Sequence, residues 1–155
     1  MQKFVFGYGS LMNPKSLQRT LPGATAVPAQ LFDFQRKFNI PVDGYLYLNI
    51  VPKSGKVMEG VCIPVSDEEL AKLKSRERGY ECVDVSEKIS GVEGVAYAFI
   101  APDKGFPGLK ILQSYIDTCL AGVSDEKQNQ WIEETIIENE IENDRENPKY
   151  ANIPK

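Results

Sequence analysis

The sequence predicts an α+β domain built on a mostly antiparallel or mixed β-sheet. Three observations support this class: about five to seven short runs of β-forming residues, about three or four segments with helical spacing of apolar residues, and no regular strand–helix–strand alternation. The length of 155 residues and the hydrophobic fraction of 42% are those of an ordinary folded domain. We expect one domain, with its core in residues 1–122 and a C-terminal helix and acidic tail in residues 123–155.

The chain begins with a predicted buried strand and a short helix. Residues 3–8 (KFVFGY) are mostly apolar and aromatic, and a second glycine, Gly9, follows them directly. This pattern predicts a strand that ends in a tight turn. Asn13 is a favoured N-cap and Pro14 is a favoured first helical residue, so a helix is predicted from Pro14 to about Thr20.

The middle of the chain contains two predicted hairpins and a capped helix. β-Forming side chains concentrate in residues 26–39, 45–51, 56–65, 80–89 and 94–101. The second and third of these runs flank residues 52–55, and a glycine-bounded turn separates the last two, so each pair is a predicted hairpin. Ser66 and Glu69 have the spacing of a capping box, which predicts a helix that continues to about Ser75.

The C-terminal part is predicted to contain two helices and a tail. Residues 107–120 carry apolar side chains at three- and four-residue spacing, which predicts a core-facing helix. A further helix is predicted from residue 124, with Trp131 on its apolar stripe. Residues 138–155 are polar and acidic and are predicted to form a tail, whose order would come from packing of Tyr150 or Ile153 on the body.

The chain has no histidine. Because imidazole is the commonest general base near neutral pH and a frequent ligand of transition metals, this absence excludes Ser-His and Cys-His hydrolases and histidine-containing zinc sites. Cys62, Cys82 and Cys119 are too far apart in sequence to resemble paired metal ligands. Such scattered cysteines are typical of a reducing cytosol, where they serve as small buried residues.

The charge distribution bounds the partners of the protein. Eighteen basic and 22 acidic residues give a net charge of −4, which is not typical of a nucleic-acid-binding protein. Residues 125–146 hold nine acids and two bases, so the remaining chain carries +3, which would suit a small anionic substrate, although a solvated acidic helix is the favoured explanation of the imbalance. No apolar run reaches the roughly 18 residues needed to span a bilayer, and the N-terminus lacks a signal-peptide pattern. We therefore expect a cytoplasmic protein without nucleic-acid or membrane partners.

The first candidate site is the sequence FGYGSLM at residues 6–12. Its glycines allow the backbone to turn sharply and to approach a ligand, and successive N–H groups at such a turn can bind a carboxylate or phosphate. The match to a dinucleotide-binding fingerprint is poor because Met12 occupies the position of the third glycine. A simple tight turn is the alternative interpretation.

Charged and aromatic side chains supply the other candidates. Glu77 lies between Arg76 and Arg78, which is typical of an exposed ion pair, but a partly buried Glu at this position would be a general base if burial raised its pKa. Tyr115 lies on or beside the apolar face of a predicted helix, where packing is its default role. Arg36, Arg76 and Arg78 could attract carboxylates, or could be ordinary surface charges.

These segments resemble the γ-glutamylcyclotransferase family, including its ChaC-like branch. Family members open with a strand and a Y-G-S-[NL]-L loop, which is present here from Tyr8 to Leu11. A later helix is followed by a catalytic Glu, and residues 73–80 (LKSRERGY) resemble that second motif, with Lys74 in place of a frequent Asp. The tyrosine-bearing helix predicted near residues 107–122 resembles the family's third element, so the resemblance covers residues 3–122.

The resemblance implies a fold, a reaction and a set of site residues. The implied fold is a small twisted mixed sheet, partly closed into a barrel and flanked by helices, with the active site at the end of the first strand. In the implied reaction the α-amine of a γ-glutamyl amide or peptide attacks its own γ-carbonyl and releases 5-oxoproline, without a metal or organic cofactor. Glu77 would be the general acid and base. The implied substrate-binding residues are Gly7, Tyr8, Gly9, Ser10, Leu11 and Tyr115.

Two other functions remain compatible with the same residues. A non-catalytic module could bind a γ-glutamyl group or another carboxylate through residues 7–12, here called the glycine loop, without turnover. A related enzyme could remove a γ-glutamyl protecting group from a biosynthetic intermediate by the same cyclisation. Both a monomer and a homodimer are compatible with the sequence.

Overall fold

The computed structural model describes residues 1–77 and 79–150 and has the predicted α+β architecture. Its helices are α1 (Pro14–Thr20), α2 (Asp67–Arg76), α3 (Gln113–Leu120) and α4 (Gln128–Glu133). Its strands are β1 (Lys3–Gly7), β2 (Val27–Val42), β3 (Tyr45–Val65), β4 (Glu81–Asp84), β5 (Ile89–Ser90), β6 (Val95–Ile100), β7 (Ile111–Leu112) and β8 (Ile141–Glu142).

Six of these strands form one curled, partly closed sheet in the order β4-β6-β1-β3-β2-β5. Strand β1 lies inside this sheet, antiparallel to β3 and parallel to β6, and the other pairs are antiparallel. The sheet is therefore mixed, as predicted. Strand β1 lies between β6 and β3, so its C-terminal end is flanked by a strand on each side.

The long β2–β3 hairpin differs from the prediction. The predicted hairpin at residues 52–55 is wrong because β2 pairs with β3 on both sides of it: Leu31 faces Met58 and Gln35 faces Val51. Residues 53–56 stay outside this ladder as a bulge. The true turn is the two-residue Asp43-Gly44 connection, where both residues have positive φ, as a type I′ hairpin turn requires.

The first two helices begin where their caps predict. The side chain of Asn13 accepts hydrogen bonds from the N–H groups of Lys15 and Ser16 at the start of α1. Ser66 and Glu69 form the complete capping box of α2. Both helices pack with β1 around a shared apolar cluster.

The other predicted hairpin is confirmed only in part. Strands β4 and β6 pair as expected, but Ile89 leaves this pair and forms β5, which pairs with β2 at the opposite edge of the sheet.

The C-terminal third contains two corrections. Helix α3 begins at Gln113 rather than near residue 107, because Ile111 and Leu112 form β7 and pair with β8. The predicted tail is also wrong for residues 138–150, which contain β8 and the buried Asp144. Tyr150 packs on the body as predicted, whereas Ile153 lies outside the described residues.

The apolar core consists of three clusters around the curled sheet. Tyr8 contacts two of them, one beneath β1 and one that includes α3 and Trp131 of α4. Cys62 and Cys119 are buried and all three cysteines are free, as predicted. Among the helices of the described residues, none combines the length and the apolar character needed to cross a membrane.

Candidate functional site

A cavity of about 470 Å³ opens at the C-terminal end of β1. It brings together all seven predicted site residues: Gly7, Tyr8, Gly9, Ser10, Leu11, Glu77 and Tyr115. Three elements meet there because β1 delivers the glycine loop, α2 ends with Glu77 as its C-cap, and α3 carries Tyr115. Its size lies within the range of small-molecule sites.

The glycine loop forms one wall of the cavity with its backbone. A Cβ atom on Gly9 would lie 3.0 Å from Leu48 Cδ1 and 3.3 Å from the Tyr115 hydroxyl, and one on Gly7 would lie 3.1 Å from Leu11 Cβ. Neither position therefore accepts a side chain without displacement of its neighbours. The loop is the predicted tight turn and also a surface that a ligand can approach closely.

The hydrogen bonds of this loop leave its first donors unused. The N–H of Met12 binds the carbonyl of Gly9 and that of Asn13 binds the carbonyl of Ser10, which closes a 3₁₀ turn. In residues 1–77 and 79–150, no hydrogen bond uses the N–H groups of Gly9, Ser10 and Leu11. Three successive donors are thus available at the cavity wall for an anionic or carbonyl group.

Glu77 lies at the end of α2 in a partly buried environment. Its N–H binds the Leu73 carbonyl, its own carbonyl accepts from Tyr80 N–H at 3.2 Å, and its side chain is half-buried. Burial raises the pKa of Glu77, and the Arg76 charge opposes part of that rise. Within the described residues Glu77 forms no ion pair, so the alternative of an ion pair with Arg76 is not supported. Arg78 lies outside the described residues.

Tyr8 and Tyr80 form the floor of the cavity near Glu77. The Tyr8 hydroxyl donates to the Phe99 carbonyl and the Tyr80 hydroxyl donates to the Leu48 carbonyl, each at 2.8 Å. Burial raises the pKa of both phenols, and the nearby Glu77 carboxylate adds to that rise. Both tyrosines therefore stay neutral at pH 7. Tyr8 links the end of β1 to β6, and Tyr80 links the start of β4 to β3, which is not its neighbour in the sheet. Sequence reasoning did not single out Tyr80 as a site residue, although it lies within the second motif.

The opposite wall is aromatic. Tyr115 is only 6% exposed, and its ring packs at 4.7 Å from Tyr47 and at 4.8 Å from Tyr150, measured between ring centroids. The hydroxyl of Tyr115 points to the glycine loop, since it lies 3.3 Å from the Cβ position of Gly9. The packing role and the predicted hydroxyl contact are thus compatible in one side chain.

Sequence reasoning missed the residues that reach the cavity from remote segments. Tyr47 lies on β3, and Lys149 and Tyr150 come from the segment that was predicted to be a tail. Lys149 binds the Glu142 carboxylate at 2.7 Å and the Tyr45 hydroxyl at 2.9 Å. For Tyr47, Lys149 and Tyr150, the only sequence signal was the aromatic ring of Tyr150 in a polar segment.

The predicted arginines take different positions. Arg76 lines the cavity at its exposed rim. Arg36 does not line it: its side chain is buried behind the glycine loop and borders a second cavity together with Trp131. The described residues contain no cluster of three or more acidic or sulfur side chains able to hold a metal ion.

Comparison with known proteins supports the resemblance at the level of the fold. No protein-family profile and no curated protein sequence matches the chain. A solved structure described as a γ-glutamyl cyclotransferase superposes over 94% of this chain and 96% of its own, with a TM-score of 0.71 and 17% identity. The chain has the γ-glutamyl cyclotransferase-like fold.

Other structures with the γ-glutamyl cyclotransferase-like fold give similar results. A human protein described as uncharacterized matches with the same coverage, TM-score and identity. A solution structure from Arabidopsis thaliana is 28% identical over 70% of this chain and 74% of its own, with a TM-score of 0.55. The partly closed sheet implied by the two motifs is therefore confirmed.

Proposed function

We propose that this protein is a γ-glutamyl cyclotransferase that converts a γ-glutamyl amide into 5-oxoproline and a free amine or amino acid. The observation that supports this proposal most directly is the position of Glu77. A half-buried carboxylate with a raised pKa borders the same cavity as three unused backbone N–H groups. The reaction needs both features, a proton acceptor and a donor surface that holds the substrate.

The proposed reaction is intramolecular. The substrate α-nitrogen forms a bond to its own γ-carbonyl carbon, and the bond from that carbon to the amide nitrogen breaks. A site that folds the substrate for ring closure obtains most of the advantage of proximity without a covalent enzyme intermediate. The absence of histidine and the half-buried carboxylate agree with this simple requirement.

Glu77 would move the protons. The α-ammonium loses two protons when it becomes the lactam nitrogen, and the leaving nitrogen gains two when it departs as an ammonium. Glu77 would accept each proton from the α-nitrogen and return it to the leaving nitrogen. The raised pKa of Glu77 makes its carboxylate a stronger base than an exposed one, while the Arg76 charge helps to keep it ionised at neutral pH.

The glycine loop would hold the γ-glutamyl group. Donors at Gly9, Ser10 and Leu11 can bind substrate oxygens, and preorganised N–H groups stabilise developing negative charge without reorganisation. The Tyr115 hydroxyl lies next to Gly9 and would add one further contact.

The test is release of 5-oxoproline from γ-glutamyl-alanine, γ-glutamyl-ε-lysine and glutathione. Glu77→Gln keeps the shape of the side chain and removes the base, so kcat should fall by about 10²- to 10⁴-fold with little change in KM. Glu68→Gln is the matched control because Glu68 lies on the exposed face of the same helix. Activity of Glu77→Gln equal to that of the control would contradict the proposed role. Binding of a γ-glutamyl compound without turnover by the wild-type protein would favour the non-catalytic module.

A further inference from the structure

A buried guanidinium lies directly behind the glycine loop. Arg36 of β2 is 3% exposed, and no carboxylate of the described residues lies within ion-pair distance of it. Burial lowers the pKa of Arg36 to about 10, so the side chain remains charged at pH 7. A buried charge without an opposite charge is costly, and its hydrogen bonds must account for its presence.

The partners of Arg36 are neutral groups of the loop and of β3. Nε donates to the Tyr8 carbonyl at 2.6 Å, while Nη2 donates to the Glu59 carbonyl and contacts Met12 Sδ at 3.5 Å. The guanidinium also lies 5.3 Å from the centre of the Trp131 ring. One side chain therefore connects both ends of the loop to the sheet.

The geometry of a peptide bond shows what this contact does. In a trans peptide the C=O and N–H groups point in opposite directions, and the described chain has no cis peptide. Arg36 holds the carbonyl of the Tyr8–Gly9 peptide toward the interior. The N–H of Gly9 in the same peptide unit is therefore directed away from Arg36, to the side on which Gly9 borders the cavity.

We propose that Arg36 is a positioning residue that orients the Gly9 N–H toward the substrate and keeps the loop electropositive. The inference rests on the proposed function, because it assigns to Arg36 the support of the surface that binds the γ-glutamyl group. The Nε contact orients the peptide. The charge of Arg36 lies behind the loop and forms no ion pair within the described residues, and it favours an anionic group in front of the loop.

The first experiment measures the loop without any assay of activity. In ¹H–¹⁵N spectra of the free protein, Arg36→Met should move the Gly9 amide resonance, whereas Arg19→Met should leave it in place because Arg19 is exposed on α1. Met is close to the arginine stem in volume and fills the same space, while the Tyr8 and Glu59 carbonyls lose their guanidinium donor. A folded Arg36→Met protein with an unmoved Gly9 resonance would overturn the inference.

The second experiment measures the kinetic consequence. Loss of a well-directed donor should lower kcat/KM by about tenfold to a hundredfold, mainly through a higher KM, with the pH profile unchanged. A merely structural role would change thermal stability and leave KM unaltered. An Arg36→Met enzyme with wild-type KM would contradict the inference. Should that variant not fold, Arg36→Lys keeps the charge but lacks the Nε donor that binds the Tyr8 carbonyl, and should show a smaller rise in KM.

Chemical rescue provides the third test. Arg36 borders a solvent-open cavity with Met12 and Trp131, so a free guanidinium ion can enter the space left by Arg36→Ala. Millimolar guanidinium should restore part of the lost kcat/KM to this variant and none to Glu77→Gln. Absence of rescue with an unaltered KM would overturn the inference. If the wild-type protein releases no 5-oxoproline, the proposed function fails, whereas the Gly9 resonance still decides the role of Arg36.

Discussion

The two walls of the cavity are built in different ways. One wall is backbone: Gly7, Gly9 and the following N–H groups come from five consecutive residues. The opposite wall is made of side chains, mainly Tyr47, Tyr115 and Tyr150, which lie far apart in sequence and meet only in the folded protein. A backbone wall recognises a group that all substrates share, and a side-chain wall can vary with the part that differs. We therefore expect the loop, with the Tyr115 hydroxyl beside it, to bind the γ-glutamyl group and the rings of Tyr47 and Tyr150 to contact the leaving group.

Gly9→Ala tests the backbone wall and should have the largest effect among the substitutions in the two walls. Its Cβ would lie 3.0 Å from Leu48 Cδ1 and 3.3 Å from the Tyr115 hydroxyl, so these side chains or the loop must shift by a few tenths of an ångström. A displacement near 1 Å at a reacting site can cost about 10²-fold in rate, and we expect a loss of that order in kcat/KM. Gly105→Ala is the control because a Cβ there meets no atom within 4 Å. Full activity of Gly9→Ala would refute close backbone contact with substrate.

Tyr115→Phe tests whether the aromatic wall contributes a polar contact. The substitution keeps the ring contacts with Tyr47 and Tyr150 and removes the hydroxyl beside Gly9. Loss of one hydrogen bond to substrate should lower kcat/KM by about tenfold. Tyr97→Phe, remote from the cavity on β6, should retain activity. An unchanged rate in Tyr115→Phe would assign this residue to packing alone.

Tyr150→Ala tests whether the side-chain wall selects the leaving group. Its ring borders the cavity and packs on Tyr47 and Tyr115. Removal of this surface should change the ratio of kcat/KM for glutathione to that for γ-glutamyl-alanine by roughly threefold to tenfold, because one apolar contact contributes about 1 kcal/mol. An equal loss with every substrate would place Tyr150 in general support of the site.

The raised pKa of Glu77 predicts a small effect of pH on stability. Between its unfolded and folded pKa values, the folded protein keeps a proton that the unfolded chain has released. The stabilising contribution of this bound proton is complete below the pKa of Glu77 in the unfolded chain, and it is lost as pH rises through the pKa of Glu77 in the folded protein. The Tm of Glu77→Gln minus that of the wild type should therefore become more positive between about pH 4 and pH 8. A difference that does not change with pH, as expected for Glu68→Gln, would show that burial does not perturb Glu77.

Removal of metal ions should have no effect. Neither wall of the cavity requires a cation in the proposed reaction, and the described residues hold no cluster of metal ligands. Dialysis against EDTA should leave 5-oxoproline release unchanged. Lost activity that returns with an added divalent cation would contradict the proposed mechanism.

The two walls also explain how much the sequence predicted. Asn13, the capping box of Ser66 and Glu69, and the glycine loop are local signals, since each depends on hydrogen bonds or torsion angles within a few residues. They predicted α1, α2 and the turn after β1 correctly. Two motifs in the right order were enough to indicate the fold.

The errors have a common physical origin in pairing between remote segments. Residues 52–55 resemble a hairpin loop locally, but β2 is long enough to pair with both halves of β3. Ile111 and Leu112 fit a helical pattern, yet a strand some 30 residues later pairs with them. For the same reason the sequence did not predict that Tyr47 and Lys149 line the cavity and that Arg36 does not. Tertiary contacts determine where these three residues lie.

The contact between Tyr115 and Tyr150 has a consequence for how activity is regained during folding. The contact between Tyr115 and Tyr150 closes one chain loop. The proximity of Tyr115 to Gly9 closes a much longer one, which spans about a hundred residues. Helix α2 can form early from local interactions, but the cavity exists only after these distant segments have met. Recovery of the proposed 5-oxoproline release after dilution from denaturant should therefore follow the slowest folding phase and report global folding.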